Sequence, residues 1–161
     1  MKNNQAGFTL VEIAIVLVII GLLLGGVLKG QELINSAKVK NFATDFRNIP
    51  LFIYGYQDKY KRLPGDDNGA VARFAGATTV NGDGNGAIAG NYNSVTLGDE
   101  SARFWQHVRL AGLAAGSTDF SSVANAGLPT NADHGRIGIQ MITPVINMTG
   151  SYFVCSEGIQ G

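Results

Sequence analysis

Side-chain oxygens alternate with glycine in the segment 81–86, and this spacing is typical of the start of a calcium-binding loop. The oxygen-bearing residues are Asn81, Asp83 and Asn85. They would fill the first, third and fifth positions of an EF-hand-like loop, which has glycine sixth and an aliphatic residue eighth. Tyr92 stands at the twelfth position, where a bidentate acid is needed. The acids available to complete the site are Asp66, Asp67, Asp99 and Glu100. The segment therefore predicts either weak calcium binding or a tight turn of residues that tolerate positive φ.

A single carboxylate, Glu12, interrupts the apolar run 8–28, FTLVEIAIVLVIIGLLLGGVL. As a helix, this run would be about 31 Å long, close to the ~30 Å hydrocarbon core of a bilayer. An acid inside a membrane span is unfavourable and usually has a specific partner. In the first turn of a helix, however, the helix dipole favours it. The pattern predicts a membrane-crossing helix with a functional acid near its start.

Catalysis and nucleic-acid binding find no support in the sequence. It contains no G-x-S-x-G, H-E-x-x-H or Walker pattern, and no G-x-G-x-x-G between a strand and a helix. His107 and His134 are isolated, and each is expected to lie on the surface or at the edge of the core. The chain has 12 basic and 12 acidic residues and no basic block, which argues against phosphate contacts. We predict a protein that is not an enzyme and whose one candidate cofactor is calcium.

Three interpretations of the N-terminus compete. A secretory signal peptide has a shorter apolar stretch, followed by a small-x-small cleavage site that is not found here. A plain membrane anchor fits the length of the run but gives no reason for Glu12. The third interpretation is a family resemblance. The sequence Gly7-Phe8-Thr9-Leu10-Val11-Glu12 resembles the processing signature of the type IV pilin and type II secretion pseudopilin superfamily.

The resemblance implies a route of maturation and assembly. Residues 1–7 would be a leader peptide, removed between Gly7 and Phe8 by a prepilin peptidase that also N-methylates Phe8. The helix 8–28 would cross the bacterial inner membrane once, with the head in the periplasm, until an assembly platform in that membrane extracts the subunit into a filament. There, Glu12 would pair with the Phe8 amine of a neighbouring pilin or pseudopilin subunit.

The resemblance leaves the choice between a type IV pilus and a type II secretion pseudopilus open. It implies a structural function in either case. The alternative of a different class is a membrane-tethered periplasmic binding module, whose Gly/Asn/Asp loop at 81–86 holds a metal or another ligand.

The sequence after the apolar run predicts that the helix continues over 29–63. An apolar stripe recurs there at helical spacing and consists of Phe42, Phe46, Ile49, Ile53, Tyr56 and Tyr60. Pro50 lies within the stripe, which keeps its phase, so we expect a bend and not an end. Cations followed by Pro64 and Gly65 predict the end of the helix near Lys61.

The head, residues 64–161, is predicted to be small and rich in loops. We expect loops with one short strand at most over 65–98, and a second helix over 99–113 with Asp99 as its cap. The segments 136–141 and 152–155 alternate or are β-prone, and predict an antiparallel pair. Together with the long helix that packs on it, the head gives an α+β, pilin-like fold.

The chain has one cysteine, Cys155. Many heads of the pilin-like family close a C-terminal loop with a disulfide, so the resemblance implies a second cysteine as the partner of Cys155. Either this member lacks the bridge, or the sequence lacks a C-terminal strand; we expect the second.

Overall fold

The computed structural model describes residues 7–75 and 78–159. Within it, the chain forms two compact units, Met1–Lys40 and Asn41–Gly161. Of the predicted leader, only Gly7 is among the described residues, and residues 1–6 lie outside them.

The long helix predicted from the sequence is confirmed as α1, Leu10–Tyr60. It continues through Pro50, as the unbroken phase of the stripe predicted. It ends where Lys61 adopts a left-handed conformation, with φ of 56°. The Lys61 amide still donates to the Gln57 carbonyl at 2.8 Å, which closes the last turn.

In the first unit, the apolar side chains of α1 are exposed to solvent. The most apolar 18-residue window of this helix has a mean hydropathy of 2.8, and none of it is buried. By length and composition the helix is able to cross a membrane. Gly21, Gly25 and Gly26 lie within the same segment, and a Cβ on any of them would meet nothing within 4 Å.

In the second unit, the apolar stripe of α1 forms one side of the hydrophobic core. Ile49, Ile53 and Tyr56 are each at most 1 % exposed. The N-terminal end of the stripe lies outside the core, where Phe46 is 38 % exposed. Two other elements contribute most of the rest of the core, the helix α3, Glu100–Leu110, and the strand β1, Ile137–Gln140. Their large buried apolar residues are Phe104, Trp105, Val108, Ile137 and Ile139.

The predicted antiparallel pair is confirmed as β1 with β2, Phe153–Ser156. Ile139 stands opposite Val154, and Gly138 stands opposite Cys155. The main chain of Tyr92 lies against Gly138 so closely that a Cβ at this position would collide with the Tyr92 carbonyl oxygen. A glycine is therefore required in this strand.

The sequence prediction for 65–98 was wrong in one respect, because the segment contains a helix and, over its described residues, no strand. This helix, α2, covers Ala70–Phe74 and ends where Ala75 turns left-handed, with φ of 45°. A further short helix, α4, Val123–Ala126, was not predicted. It begins at Ser122, whose hydroxyl accepts a hydrogen bond from the Asn125 amide at 3.1 Å.

The predicted cap of α3 is confirmed in position but not in its side-chain contact. Asp99 occupies the N-cap position, but its side chain makes no capping hydrogen bond. The carboxylate instead accepts a hydrogen bond from the Ser94 hydroxyl at 2.6 Å. The side chain of Asp99 thus contacts the loop before α3 and not the amides of the first turn of the helix.

Candidate functional site

The first candidate site is the start of α1, where Thr9 and Glu12 bind each other. Thr9 is the residue before the helix, and its amide and hydroxyl donate to Glu12 Oε2 at 2.8 and 2.7 Å. In return, the Glu12 amide donates to the Thr9 hydroxyl at 3.3 Å. This reciprocal pair is a capping box, in which two otherwise unpaired amides of the first turn are satisfied.

The predicted cleavage site lies just outside this capped helix. Gly7, Phe8 and Thr9 have no regular secondary structure and are exposed, with Phe8 84 % exposed. A peptidase must extend the chain to reach a peptide bond, and no helical hydrogen bond has to break first. The structure therefore leaves the Gly7–Phe8 bond accessible, one residue before the cap.

Sequence reasoning assigned a role to Glu12 but overlooked Thr9. The pattern Thr9-Leu10-Val11-Glu12 is the T-x-x-E signature of a capping box followed by an apolar run. That signal alone would have placed the start of the helix at Leu10.

The second candidate site is a cluster of three carboxylates in the head. One oxygen from each of Asp66, Asp83 and Glu100 lies within 4.8 Å of the others. Asp66 and Glu100 are each 5 % exposed, whereas Asp83 is exposed and opens the cluster to solvent. Two of the acids that the sequence offered as additional ligands are thus beside Asp83, as a calcium site would need.

Backbone amides of the loop hold the two buried carboxylates in place. Asp66 accepts hydrogen bonds from the amides of Asn85 and Gly86, both at 2.9 Å. Glu100 accepts from the amides of Asp83 and Ala89, both at 2.9 Å. A carboxylate oxygen has two lone pairs, so each of these oxygens keeps acceptor capacity for a cation. Donors that are all oxygen and carry negative charge suit calcium.

The other two predicted ligands have partners within the protein. Asn81 Oδ1 accepts a hydrogen bond from the Val71 amide at 2.8 Å. Asn85 Oδ1 accepts one from the Ala87 amide at 2.7 Å, and its amide group donates to Asp83 at 2.8 Å. The contacts of Asn85 are those of the tight turn that was the alternative prediction, and they bring Asp83 and Asn85 together, whereas Asn81 joins the loop to α2.

A buried polar network ties the loop before the cluster to α1. The Tyr56 hydroxyl donates to Asp67 Oδ2 at 2.6 Å, and Arg73 forms an ion pair with the same carboxylate. The Gly69 amide donates to Asp67 Oδ1 at 2.8 Å. Burial alone would raise the pKa of Asp67, but the hydrogen bonds from Tyr56 and Gly69 and the charge of Arg73 outweigh it and lower that pKa. Burial raises the pKa of Tyr56.

His107 is completely buried, so its predicted place on the surface or at the edge of the core was wrong. Its Nδ1 accepts a hydrogen bond from the Gly65 amide at 2.9 Å, and its Nε2 lies 2.9 Å from the Val80 carbonyl oxygen. Both contacts are satisfied when Nε2 carries the proton. Burial lowers the pKa of His107, because the charged form would be desolvated. The residue links both ends of the segment that precedes the acidic loop. His134, by contrast, is exposed, in a turn with φ of 63°.

Comparison with known proteins locates the resemblance in the N-terminal segment. Residues 2–28 match the prokaryotic N-terminal methylation motif. This is the prepilin-cleavage signature of type IV pilins and pseudopilins, and the match includes Gly7, Phe8 and Glu12. No curated protein and no solved structure matches the chain. The resemblance drawn from these residues is therefore confirmed for the segment that carries it.

Proposed function

We propose that this chain is the precursor of a structural subunit of a type IV pilus-like or type II secretion pseudopilus filament. A prepilin peptidase cuts it after Gly7 and methylates the new amine of Phe8. The helix then holds the subunit in the bacterial inner membrane, with the head in the periplasm, until the assembly platform moves it into the filament. The observation that carries this proposal is the match of residues 2–28 to the methylation motif.

The structure supports the proposal in two respects. The first is the apolar surface of α1 in the first unit, which is exposed because no described residue packs on it. Lipid before assembly, and neighbouring helices afterwards, would both cover such a surface. The second is the exposed, non-helical Gly7–Phe8 bond, which a peptidase can reach without unwinding the capped helix.

The processing step is tested by mass spectrometry of the N-terminus in cells that have a prepilin peptidase. We expect a mature chain that begins with N-methylated Phe8. In a peptidase-deficient strain, the full chain from Met1 should persist. Recovery of the uncut chain in both strains would contradict the proposal and would favour a tethered binding module.

The assembly role of Glu12 is tested separately from its capping role. Glu12→Gln keeps an oxygen that accepts the Thr9 hydrogen bonds but removes the charge, whereas Thr9→Ala breaks the capping box and keeps the charge. If Glu12 neutralises the Phe8 amine of a neighbour, Glu12→Gln and Glu12→Ala should both abolish filaments, and Thr9→Ala should keep most of them.

The measurement is the amount of filament sheared from cells, with mass spectrometry as the control that each variant is still inserted, cut and methylated. Normal assembly of Glu12→Gln together with loss of assembly in Thr9→Ala would show that capping, and not charge, is the requirement. That result would refute the pairing of Glu12 with the Phe8 amine.

The machine to which the subunit belongs is decided by its genetic context. A secretion ATPase and an outer-membrane secretin encoded beside this gene would identify the system. Deletion of the gene should then remove either surface pili or export of a secreted protein, and the phenotype separates a pilus from a pseudopilus.

We also propose that the head binds calcium, because Asp66, Asp83 and Glu100 converge in it. This is the second candidate function, and it is compatible with a filament subunit and with a tethered binding module. Asp83 would act as the exposed ligand, while Asp66 and Glu100 would be buried ligands already oriented by loop amides. Calcium at about 100 times its Kd should stabilise the folded head by about 2.7 kcal/mol.

The calcium proposal is tested by thermal unfolding of the detergent-solubilised full chain with calcium or with a chelator. Calcium should raise the Tm of the wild type and of Asp58→Asn, an exposed acid on α1 that serves as the matched control. It should not raise the Tm of Asp83→Asn. Equal Tm values for the wild type in calcium and in chelator would refute calcium binding.

A further inference from the structure

A cavity of about 140 Å³ lies in the second unit, beside the part of α1 that belongs to the head. Aromatic and aliphatic side chains form most of its wall, chiefly Phe52, Trp105, Ile49 and Ile137. Phe52 and Trp105 meet edge to face, with their ring centroids 6.5 Å apart. The cavity is partly open to solvent, so a side chain from outside is able to enter it. For comparison, an apolar cavity of about 150 Å³ is known to hold a benzene molecule.

One charged residue lines this cavity, and it is Asp45. Its side chain is partly buried on α1, and burial raises its pKa. Among the described residues, its carboxylate has no hydrogen-bond donor and no cation beside it. The other acid of α1 in this unit is Asp58, which forms an ion pair with Lys61 and has a side chain that is 92 % exposed. The carboxylate of Asp45 is thus held, unpaired, at an apolar space.

A partly desolvated carboxylate without a partner, beside aromatic rings, is complementary to a cation on an aliphatic stem. The carboxylate would accept charge-assisted hydrogen bonds from the cationic head, and the stem would fill the apolar space. The electron-rich face of an aromatic ring such as that of Trp105 attracts an ammonium or guanidinium group. Lysine and arginine side chains have this construction, with an apolar stem and a charged end.

We propose that this cavity receives the lysine or arginine side chain of a neighbouring filament subunit. The assignment to a neighbouring subunit depends on the proposed function, whereas the ability of the cavity to bind such a cation does not. Charge complementarity selects this occupant. Because basic and acidic residues nearly balance in the chain, net charge gives subunits little overall attraction, and local pairs of this kind would help to orient them.

The binding step is tested with analogues of the two side chains, n-butylammonium for lysine and n-propylguanidinium for arginine. Trp105 is the chain's only tryptophan and lines the cavity, so its fluorescence reports directly on occupancy. In the detergent-solubilised full chain, both cations should change the Trp105 emission in a saturable way. Neutral n-butanol serves as the control for the apolar part of the interaction.

Asp45→Asn should weaken the binding of both cations about tenfold or more, since a hydrogen bond to a charged group is lost. The same substitution should leave the response to n-butanol unchanged, and Asp58→Asn should behave like the wild type. Asp45→Asn should not lower the Tm, because the carboxylate it replaces has no partner to lose. Equal cation binding by Asp45→Asn and wild type, or no saturable response in the wild type, would overturn the cation site.

The partner is tested in cells by the amount of sheared filament. Asp45→Asn should reduce filament assembly while cleavage and Phe8 methylation remain normal, and Asp58→Asn should assemble normally. Normal assembly of an Asp45→Asn variant that no longer binds the cations would overturn the neighbouring subunit as the source. If Phe8 is never methylated, the proposed function fails, and the fluorescence titration still decides whether the cavity binds a cation.

Discussion

His107 makes the stability of the head depend on pH in a way that can be measured. The imidazole accepts a hydrogen bond from the buried Gly65 amide and donates one to the Val80 carbonyl. His107→Phe keeps a flat ring of similar size, which can still stack on Tyr56 as the imidazole does at 6.2 Å between ring centroids. It leaves the Gly65 amide buried and unpaired, at a cost of about 1–3 kcal/mol, and loses the bond to Val80, worth about 0.5–1.5 kcal/mol. We expect a loss of about 2–4 kcal/mol in the free energy of unfolding.

The sign of the pH effect follows from the lowered pKa of His107 in the folded head. The unfolded chain takes up a proton near the ordinary histidine pKa of about 6.5, while the folded head resists protonation. Stability is therefore full above this pH and falls as the pH drops below it. Between about pH 7.5 and about pH 5.5 the wild type should lose up to about 1.4 kcal/mol of unfolding free energy. His107→Phe should lack this component.

The assay is urea unfolding of the detergent-solubilised chain, followed by the fluorescence of Trp105 in the core of the head. The matched control is His134→Asn, which removes the exposed histidine and suits the left-handed conformation found there. It should keep the pH dependence of the wild type. The same loss of stability at low pH in His107→Phe, or a stability equal to that of the wild type, would refute the assigned role.

Three further substitutions test the remaining polar anchors of the head. Tyr56→Phe removes the 2.6 Å hydrogen bond to the buried Asp67 carboxylate and should lower the unfolding free energy in urea by about 1.5–3 kcal/mol. Gly65→Ala places a Cβ 2.5 Å from the Glu100 carbonyl oxygen, at a backbone φ of +94°, and should therefore lower the Tm in thermal unfolding. An unchanged Tm would mean that the loop can move away from the new methyl group. Arg109→Lys cannot keep the hydrogen bonds that the guanidinium donates to three backbone carbonyls, so amide hydrogen exchange should rise around 117–127 and stay unchanged in the β1–β2 pair.

Hydrophobic patterns that extend over many residues predicted the largest elements of the fold. The extent of α1 followed from an apolar run and a stripe at helical spacing, and Lys61 ended it where cations precede Pro64. The β1–β2 pair followed from alternation in one segment and a β-prone run in the other. In each case, many residues repeat the same signal, so that no single side chain decides the outcome.

Short elements were missed because a few local contacts decide them. α2 has five residues, and its sequence contains no cap that stands out from the surrounding loop. Asp99 has a suitable side chain for a cap, yet its carboxylate accepts a hydrogen bond from the Ser94 hydroxyl and none from the helix amides. His107 is buried against the main chain of Gly65 and Val80. Both partners are distant in the sequence, so the residues around His107 in α3 do not indicate them.

The candidate metal site shows the same limit. The alternation of Asn81, Asp83 and Asn85 identified the loop but not its carboxylate partners. Asp66 and Glu100 are brought beside Asp83 by hydrogen bonds from loop amides. Contacts between residues so distant in the sequence depend on the folded path of the chain. The sequence therefore indicated four candidate acids but not which two of them lie beside Asp83.

The structure gives Glu12 a role inside its own subunit, and this role is compatible with the one proposed between subunits. Oε2 of Glu12 accepts both hydrogen bonds from Thr9. Among the described residues, Oε1 has no hydrogen-bond donor. One carboxylate can therefore cap its own helix through Oε2 and receive the Phe8 amine of a neighbour through Oε1. The capping box also fixes the rotamer of Glu12 before any neighbour arrives, which lowers the entropy that the pairing must overcome. In the proposed filament, a glutamate at this position would serve both the helix and the contact between subunits, whereas an uncharged glutamine would serve only the helix.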